Sequence, residues 1–160
     1  MNIYLIRHGE AEQTSENKPH EERALTVNGI EIIKNSIEIW KQFIDRFDII
    51  LTSPLKRAKQ TANILYGIFK PEFKVIEEIC LLNGGLTEDL IVTASSLNLN
   101  DVAMVGHQPD IGIHLALMTG STNANIKIPP STIAKIHFKE KPRVEKGVLE
   151  FLLPSINNKG

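Results

Sequence analysis

Ile3-Tyr4-Leu5-Ile6-Arg7-His8-Gly9-Glu10 joins an unbroken apolar run to a cation, an imidazole and a glycine. Four apolar residues in a row suit a strand buried on both faces, not one that alternates between core and water. Such a strand needs helices above and below it, which the remaining chain must supply.

Residues 25–43 carry apolar side chains at Val27, Ile30, Ile33, Ile37 and Trp40, with Ile44 just beyond. Spacings of three and four predict a long amphipathic helix with Thr26 as its cap and Trp40 in the core. A second strand is expected over 47–51. Thr52-Ser53-Pro54 then opens a helix to residue 69, since proline is tolerated in a first turn. A short third strand is expected over 73–76, followed by the loop Asn83-Gly84-Gly85. A helix over 87–97 has Thr87 as its expected cap, with Glu88 and Asp89 at the positive end of its dipole.

Residues 102–105 predict a fourth strand, which leads through Gly106-His107-Gln108-Pro109 into a helix ending near 118. The last two strands, 132–138 and 148–153, have no helix between them and should pair antiparallel. The expected fold class is therefore α/β, with a central mixed, mostly parallel sheet of about six strands and right-handed crossovers.

At 160 residues, the chain is expected to form one domain over 1–160. Hydrophobic residues at 42% and charged residues at 23% suffice for one sizeable core. A net charge of −1 and a pI near 6.5 argue against nucleic acid or an acidic membrane as partner. An anionic ligand would have to be drawn by cations placed locally. The single cysteine, Cys80, excludes an internal disulfide and a cysteine metal cluster, and reads as a small core residue between Ile79 and Leu81. The apolar run ahead of Arg7 is too short for a signal-peptide core or a membrane span, so a cytoplasmic location is expected; a monomer is expected as well.

Ligands of open α/β sheets bind outside the carboxyl ends of the strands. Arg7 and His8 follow the first strand here. Ser53, Pro54 and, a helical turn on, Arg57 follow the second; Gly106, His107 and Gln108 follow the fourth. Two imidazoles and two guanidinium groups should thus meet at one sheet edge. Arginine forks onto two oxygens at once, which suits a phosphoryl group. A neutral imidazole can attack phosphorus near pH 7. The second imidazole and the arginines could hold the equatorial oxygens and offset the charge of an in-line transition state. The first amides of the helix after Pro109 would add to that anion-binding surface. No metal is called for, and no metal-ligand spacing such as H-E-x-x-H occurs.

The other histidines read as ordinary: His114 packing or capping, His137 at the surface of a strand, and His20 in the polar stretch 14–23. That stretch reads as an exposed loop that leaves the catalytic edge and could form its rim. Gln108 reads as a turn residue or an amide offered to substrate.

Leu5-Ile6-Arg7-His8-Gly9-Glu10 resembles the Arg-His-Gly signature of the histidine phosphatase superfamily. Leu25-Thr26 with Gly29 resembles that family's Leu-Thr-x-x-Gly element. The segment from Ser53 to Ala62 is similar to its Ser-Pro-x-x-Arg-Ala-x-Gln-Thr-Ala, and Val105-Gly106-His107-Gln108-Pro109 to its Val-Gly-His-x-Pro turn. The four elements stand in the family's order, and the short chain without large insertions most resembles the SixA-like phosphohistidine phosphatases. The resemblance implies a three-layer α/β/α, phosphoglycerate mutase-like fold. It also implies catalytic roles for His8, as the phosphorylated nucleophile, and for His107, with Arg7, Arg57 and His107 binding the phosphoryl oxygens. Hydrolysis would run in two steps without a cofactor.

Many relatives carry an acid in the loop after the third strand to protonate the leaving group. Here that loop is Leu82-Asn83-Gly84-Gly85-Leu86, and neither Glu78, Glu88, Glu10 nor Glu12 takes the role by resemblance. Three functions follow as expectations: a phosphatase acting on phosphohistidine in proteins, a phosphomonoesterase for a small phosphorylated metabolite, or a non-enzymatic phosphoprotein-binding module. Retention of Arg7, His8, Arg57 and His107 argues against the last.

Overall fold

Ile3–Ile6 are all buried, and their strand, β1 (Asn2–Arg7), lies inside a six-stranded sheet. In the computed structural model, which describes residues 1–17 and 19–156, the other strands are β2 (Ile49–Thr52), β3 (Ile76–Glu77), β4 (Asp101–Gly106), β5 (Ile133–His137) and β6 (Val148–Leu153). They lie in the order β3-β2-β4-β1-β5-β6. β3, β2, β4 and β1 run parallel, β5 is antiparallel to β1, and β5 and β6 form the expected antiparallel pair. The helices are α1 (Val27–Trp40), α2 (Lys56–Phe69), α3 (Thr87–Ser96) and α4 (Asp110–Met118). Among the described residues, no helix is long and apolar enough to cross a membrane.

Side chains alternate across the sheet, and the two halves of the core follow from that alternation. Ile3, Leu5, Val102 and Met104 pack with Leu90 and Ala94 of α3 and Ile111 and Leu115 of α4. Tyr4, Ile6, Ala103 and Val105 pack on the other side with Ile33, Ile37 and Trp40 of α1 and Ala58, Ala62 and Leu65 of α2. The result is three layers, α/β/α. Each fully buried leucine or isoleucine contributes on the order of 1.5–3 kcal/mol relative to exposure.

Thr26 caps α1 as expected, its Oγ1 accepting from the Gly29 amide at 2.8 Å. Gly29 itself is forced by packing: a Cβ there would stand 2.2 Å from the Glu10 carbonyl oxygen. The Glu10 carboxylate accepts from Thr26 Oγ1 at 2.6 Å and Asn28 Nδ2 at 3.1 Å. The loop leaving β1 is therefore fastened to the start of α1.

Several boundaries differ from expectation. α1 stops at Trp40, and 41–43 form a turn. α2 begins at Lys56, so Pro54 precedes the helix. The third strand is not 73–76 but Ile76–Glu77, pairing with Leu51 and Thr52 of β2. Thr87 is the first residue of α3, not its cap; Leu86 holds the cap position, and the Thr87 hydroxyl bonds His114 Nδ1 at 2.8 Å. Cys80 is half-buried against the core, not within it.

Candidate active site

Strand register assembles the site. Arg7 lies opposite Gly106 across the β1–β4 ladder, so the residues that follow, His8 and His107, emerge side by side. Thr52 lies opposite Val105, which brings Ser53 alongside. The His8 amide donates to the Gly106 carbonyl at 3.1 Å and the Ser53 amide to the Val105 carbonyl at 2.9 Å. The imidazoles of His8 and His107 have centroids 5.0 Å apart. Arg57, from the first turn of α2, completes the group: its Nε donates to His8 Nε2 at 3.2 Å. His8 is 8% exposed, Arg57 and His107 2% each.

The protonation pattern of His8 follows from its partners. Arginine can only donate, so Nε2 must offer its lone pair to Arg57. Nδ1 therefore carries the proton, and it donates to the Gly9 carbonyl at 2.6 Å. The ring is held at one nitrogen and nucleophilic at the other. Burial, with repulsion from His107, Arg57 and Arg7, lowers the His8 pKa from 6.5 to about 3 against the pull of the Gly9 carbonyl. Burial, then the charges of Arg57, His20, Arg7 and Arg23, lowers His107 likewise to about 3. Both imidazoles are neutral at physiological pH.

Arg7 lies near enough for its charge to act on both histidines. Its Nη1 donates to the Ile128 carbonyl at 2.6 Å. His107 Nε2 shares a 2.7 Å hydrogen bond with Ser53 Oγ. Arg7 Nε, His107 Nδ1, Ser131 Oγ and Thr132 Oγ1 are buried polar atoms with no partner among the described residues. Ser131 and Thr132 border the site: the Ser131 amide donates to the His8 carbonyl and the Thr132 carbonyl accepts from the Arg7 amide. Buried polar atoms without partners cost about 1–3 kcal/mol each, so this edge is poised for an oxygen-rich ligand.

The motif residues around these groups have structural tasks. Thr61 Oγ1 accepts from the Gly9 amide at 3.1 Å and donates to the Arg57 carbonyl at 2.9 Å. Gln60 Oε1 accepts from the Leu25 amide at 2.7 Å. Gln108 spans to the 126–128 segment, donating to the Ile126 carbonyl at 3.0 Å and accepting from the Ile128 amide at 3.3 Å. It thereby supports the carbonyl that holds Arg7.

Other expectations are corrected. The amides that follow Asp110 in α4 are engaged in the turn, Ile111 donating to the His107 carbonyl and Gly112 and Ile113 to that of Pro109, so they add nothing to an anion-binding surface. His137 is half-buried and bonds Asn2 Oδ1 through Nδ1 at 2.9 Å. His114 is buried, as its packing role requires. The loop 82–86 does meet a carboxylate, Asp110 of α4, but both oxygens are in use, on Asn83 Nδ2 at 2.7 Å and the Gly84 amide at 2.9 Å. Among the described residues, no three His, Cys, Asp or Glu side chains group as metal ligands.

His20 is the residue most underread from sequence. It begins a 3-10 turn, His20–Glu22, and bonds Arg57 twice. Arg23 also lies close enough for its charge to disfavour protonation of His107 and Arg57. Its guanidinium donates to the Glu12 carbonyl, while Glu12 Oε2 accepts from the Ala24 amide at 2.9 Å.

Solved structures share this architecture. The protein histidine phosphatase SixA complexed with tungstate superposes with a TM-score of 0.82 at 21% identity, over 96% of this chain and 97% of that one. A SixA protein from Agrobacterium tumefaciens gives 0.78 at 22% identity, over 95% and 96%. In sequence, an uncharacterized protein of Picosynechococcus sp. is 34% identical over 115 residues, 70% of this chain and 69% of its own. The model of the histidine phosphatase superfamily, branch 1, matches residues 3–98, and the chain belongs to that family.

Proposed function

We propose that this chain is a phosphatase that takes a phosphoryl group onto Nε2 of His8 and passes it to water, with phosphohistidine in proteins as its substrate class. One observation carries the reading: the Arg57 Nε–H points at the His8 Nε2 lone pair at 3.2 Å. A phosphate-binding cation and a nucleophilic lone pair thus converge on one point. The Nδ1–H donated to the Gly9 carbonyl stabilises the positive ring formed on attack. The Arg57 Nε–H gives up the Nε2 lone pair as the substrate enters, and the N–P bond forms at Nε2 as the bond to the leaving group breaks, its electron pair departing with that group. Arg7, Arg57 and His107 receive the equatorial oxygens. Water then attacks phosphorus, the N–P bond breaks, and His8 returns neutral with Nδ1 still protonated.

The substrate class follows from the leaving group. An alkoxide must be protonated as it departs, and the loop 82–86 supplies no acid. Asp110, the carboxylate on that loop, anchors it through both oxygens. An imidazole leaving from phosphohistidine can already carry its proton on the distal nitrogen. The absence of large insertions leaves the sheet edge to a bulky partner, which fits a protein. A relative of the same fold was solved with tungstate, a tetrahedral oxyanion of the kind this cation cluster suits.

The test compares turnover of a phosphohistidine peptide with that of an alkyl phosphate, using wild type and His8→Ala. The phosphohistidine peptide should be turned over at least tenfold faster, and His8→Ala should be inactive on both. Equal efficiency on the two substrates refutes the substrate class; activity in His8→Ala refutes the mechanism.

A further inference from the structure

We infer that His20 is a positioning residue that holds the Arg57 fork in the orientation phosphoryl transfer needs; this rests on the function proposed above. Arginine has five N–H bonds on three nitrogens. In Arg57 each nitrogen is engaged: Nε on His8 Nε2 at 3.2 Å, Nη1 on the His20 carbonyl at 3.0 Å, and Nη2 on His20 Nε2 at 2.9 Å. A single residue therefore grips both terminal nitrogens, while the nucleophile holds the third. Swinging the guanidinium away from His8 breaks two hydrogen bonds of a group only 2% exposed, where unpartnered charged donors are costly.

The grip comes from backbone and ring together. Pro19 precedes the 3-10 turn His20–Glu22, and its carbonyl accepts from the Glu22 amide at 3.0 Å. Downstream, the amides of Ala24 and Leu25 are tied to Glu12 and to Gln60 of α2, the helix that carries Arg57. The segment that carries His20 is thus fastened just downstream, in part to the helix that carries Arg57. Three of the five N–H bonds are engaged, which leaves one on each terminal nitrogen for phosphoryl oxygens. The two free terminal N–H bonds are thereby held ready for the developing charge, while the Nε–H yields the His8 Nε2 lone pair to phosphorus. Arginine only donates, so in this contact His20 Nε2 is the acceptor.

The opposite role, in which His20 competes with the phosphoryl group for Arg57, predicts the opposite effect of its removal. His20→Phe keeps a ring but has no acceptor; His20→Gln supplies an acceptor oxygen. We expect His20→Phe to lower kcat on a phosphohistidine peptide about tenfold with KM changed less than about twofold, and to weaken orthovanadate binding in parallel by calorimetry. His20→Gln should recover both to within about threefold of wild type. In Arg57→Ala, adding His20→Phe should change vanadate affinity no further. Nitrogen-15 spectra should show the two Arg57 Nη signals separate in wild type and merged in His20→Phe. These spectra need no turnover, so loss of the proposed activity and loss of the grip are told apart. Unchanged or tighter vanadate binding in His20→Phe, an equal further loss in Arg57→Ala, or unaltered Arg57 signals would each overturn the inference.

Discussion

A histidine that attacks phosphorus must be unprotonated, and at the residue scale burial supplies this before any substrate arrives. With both rings lowered from 6.5 to about 3, the Cε1–H signals of His8 and His107 should hold steady from pH 8 to pH 5 in the free protein. A sigmoidal shift centred near 6.5 in either would contradict the account. Arg57→Ala should lower turnover about 10²–10³-fold, the cost of losing one preorganised donor, and Arg57→Lys should not restore it because an ammonium lacks the fork. His8, Arg57 and His107 were legible because they stand immediately after strands or one turn into a helix, where topology alone fixes their place. His20 and Arg23 were not. They reach the site along a loop with no periodicity, and only the folded path of that loop brings them over Arg57.

Elements show the same division between local and tertiary causes. Thr26 was legible as a cap because the capping bond is local, and Thr26→Ala should cost about 1 kcal/mol in chemical denaturation. Gly29→Ala should cost more than that cap, since its Cβ would stand 2.2 Å from a backbone oxygen that Glu10 cannot easily withdraw. A Gly29→Ala loss smaller than that of Thr26→Ala would show that the close approach of α1 to the β1 loop relaxes freely. β1, β4 and the closing antiparallel pair were readable from apolar runs. The length of β3 was not, because only Ile76 and Glu77 join the ladder, opposite Leu51 and Thr52, and the stretch 73–76 does not show where pairing starts. Thr87 likewise read as a cap from its type, but it bonds a histidine brought in by α4.

For the whole molecule, the buried histidines make stability depend on acid. His8 and His107 are lowered to about 3 and His114 to about 4, each chiefly by burial. The unfolded chain takes up protons at these side chains below 6.5, whereas the folded chain resists until pH 4 to 3. Stability is therefore greatest above 6.5 and falls as pH drops below it, by at most about 1.4 kcal/mol per pH unit for each histidine. Tm should fall by about 5 °C or more between pH 7.5 and pH 5. A Tm that holds or rises over that interval would mean these rings are protonated in the fold. The three-layer architecture was legible as a whole because strand–helix alternation admits few topologies, and the same alternation delivers four chemical groups from three distant stretches of chain to one edge.

The claim on which the account rests is that His8 Nε2 becomes covalently phosphorylated. Rapid quenching during turnover of a phosphohistidine peptide, followed by mapping of acid-labile phosphate on the protein, tests it directly. The account predicts phosphate on His8 as the Nε2-linked isomer, because Nδ1 is committed to the Gly9 carbonyl. Phosphate on Nδ1 or on another residue, or turnover with no phosphorylated protein at any quench time, would contradict it.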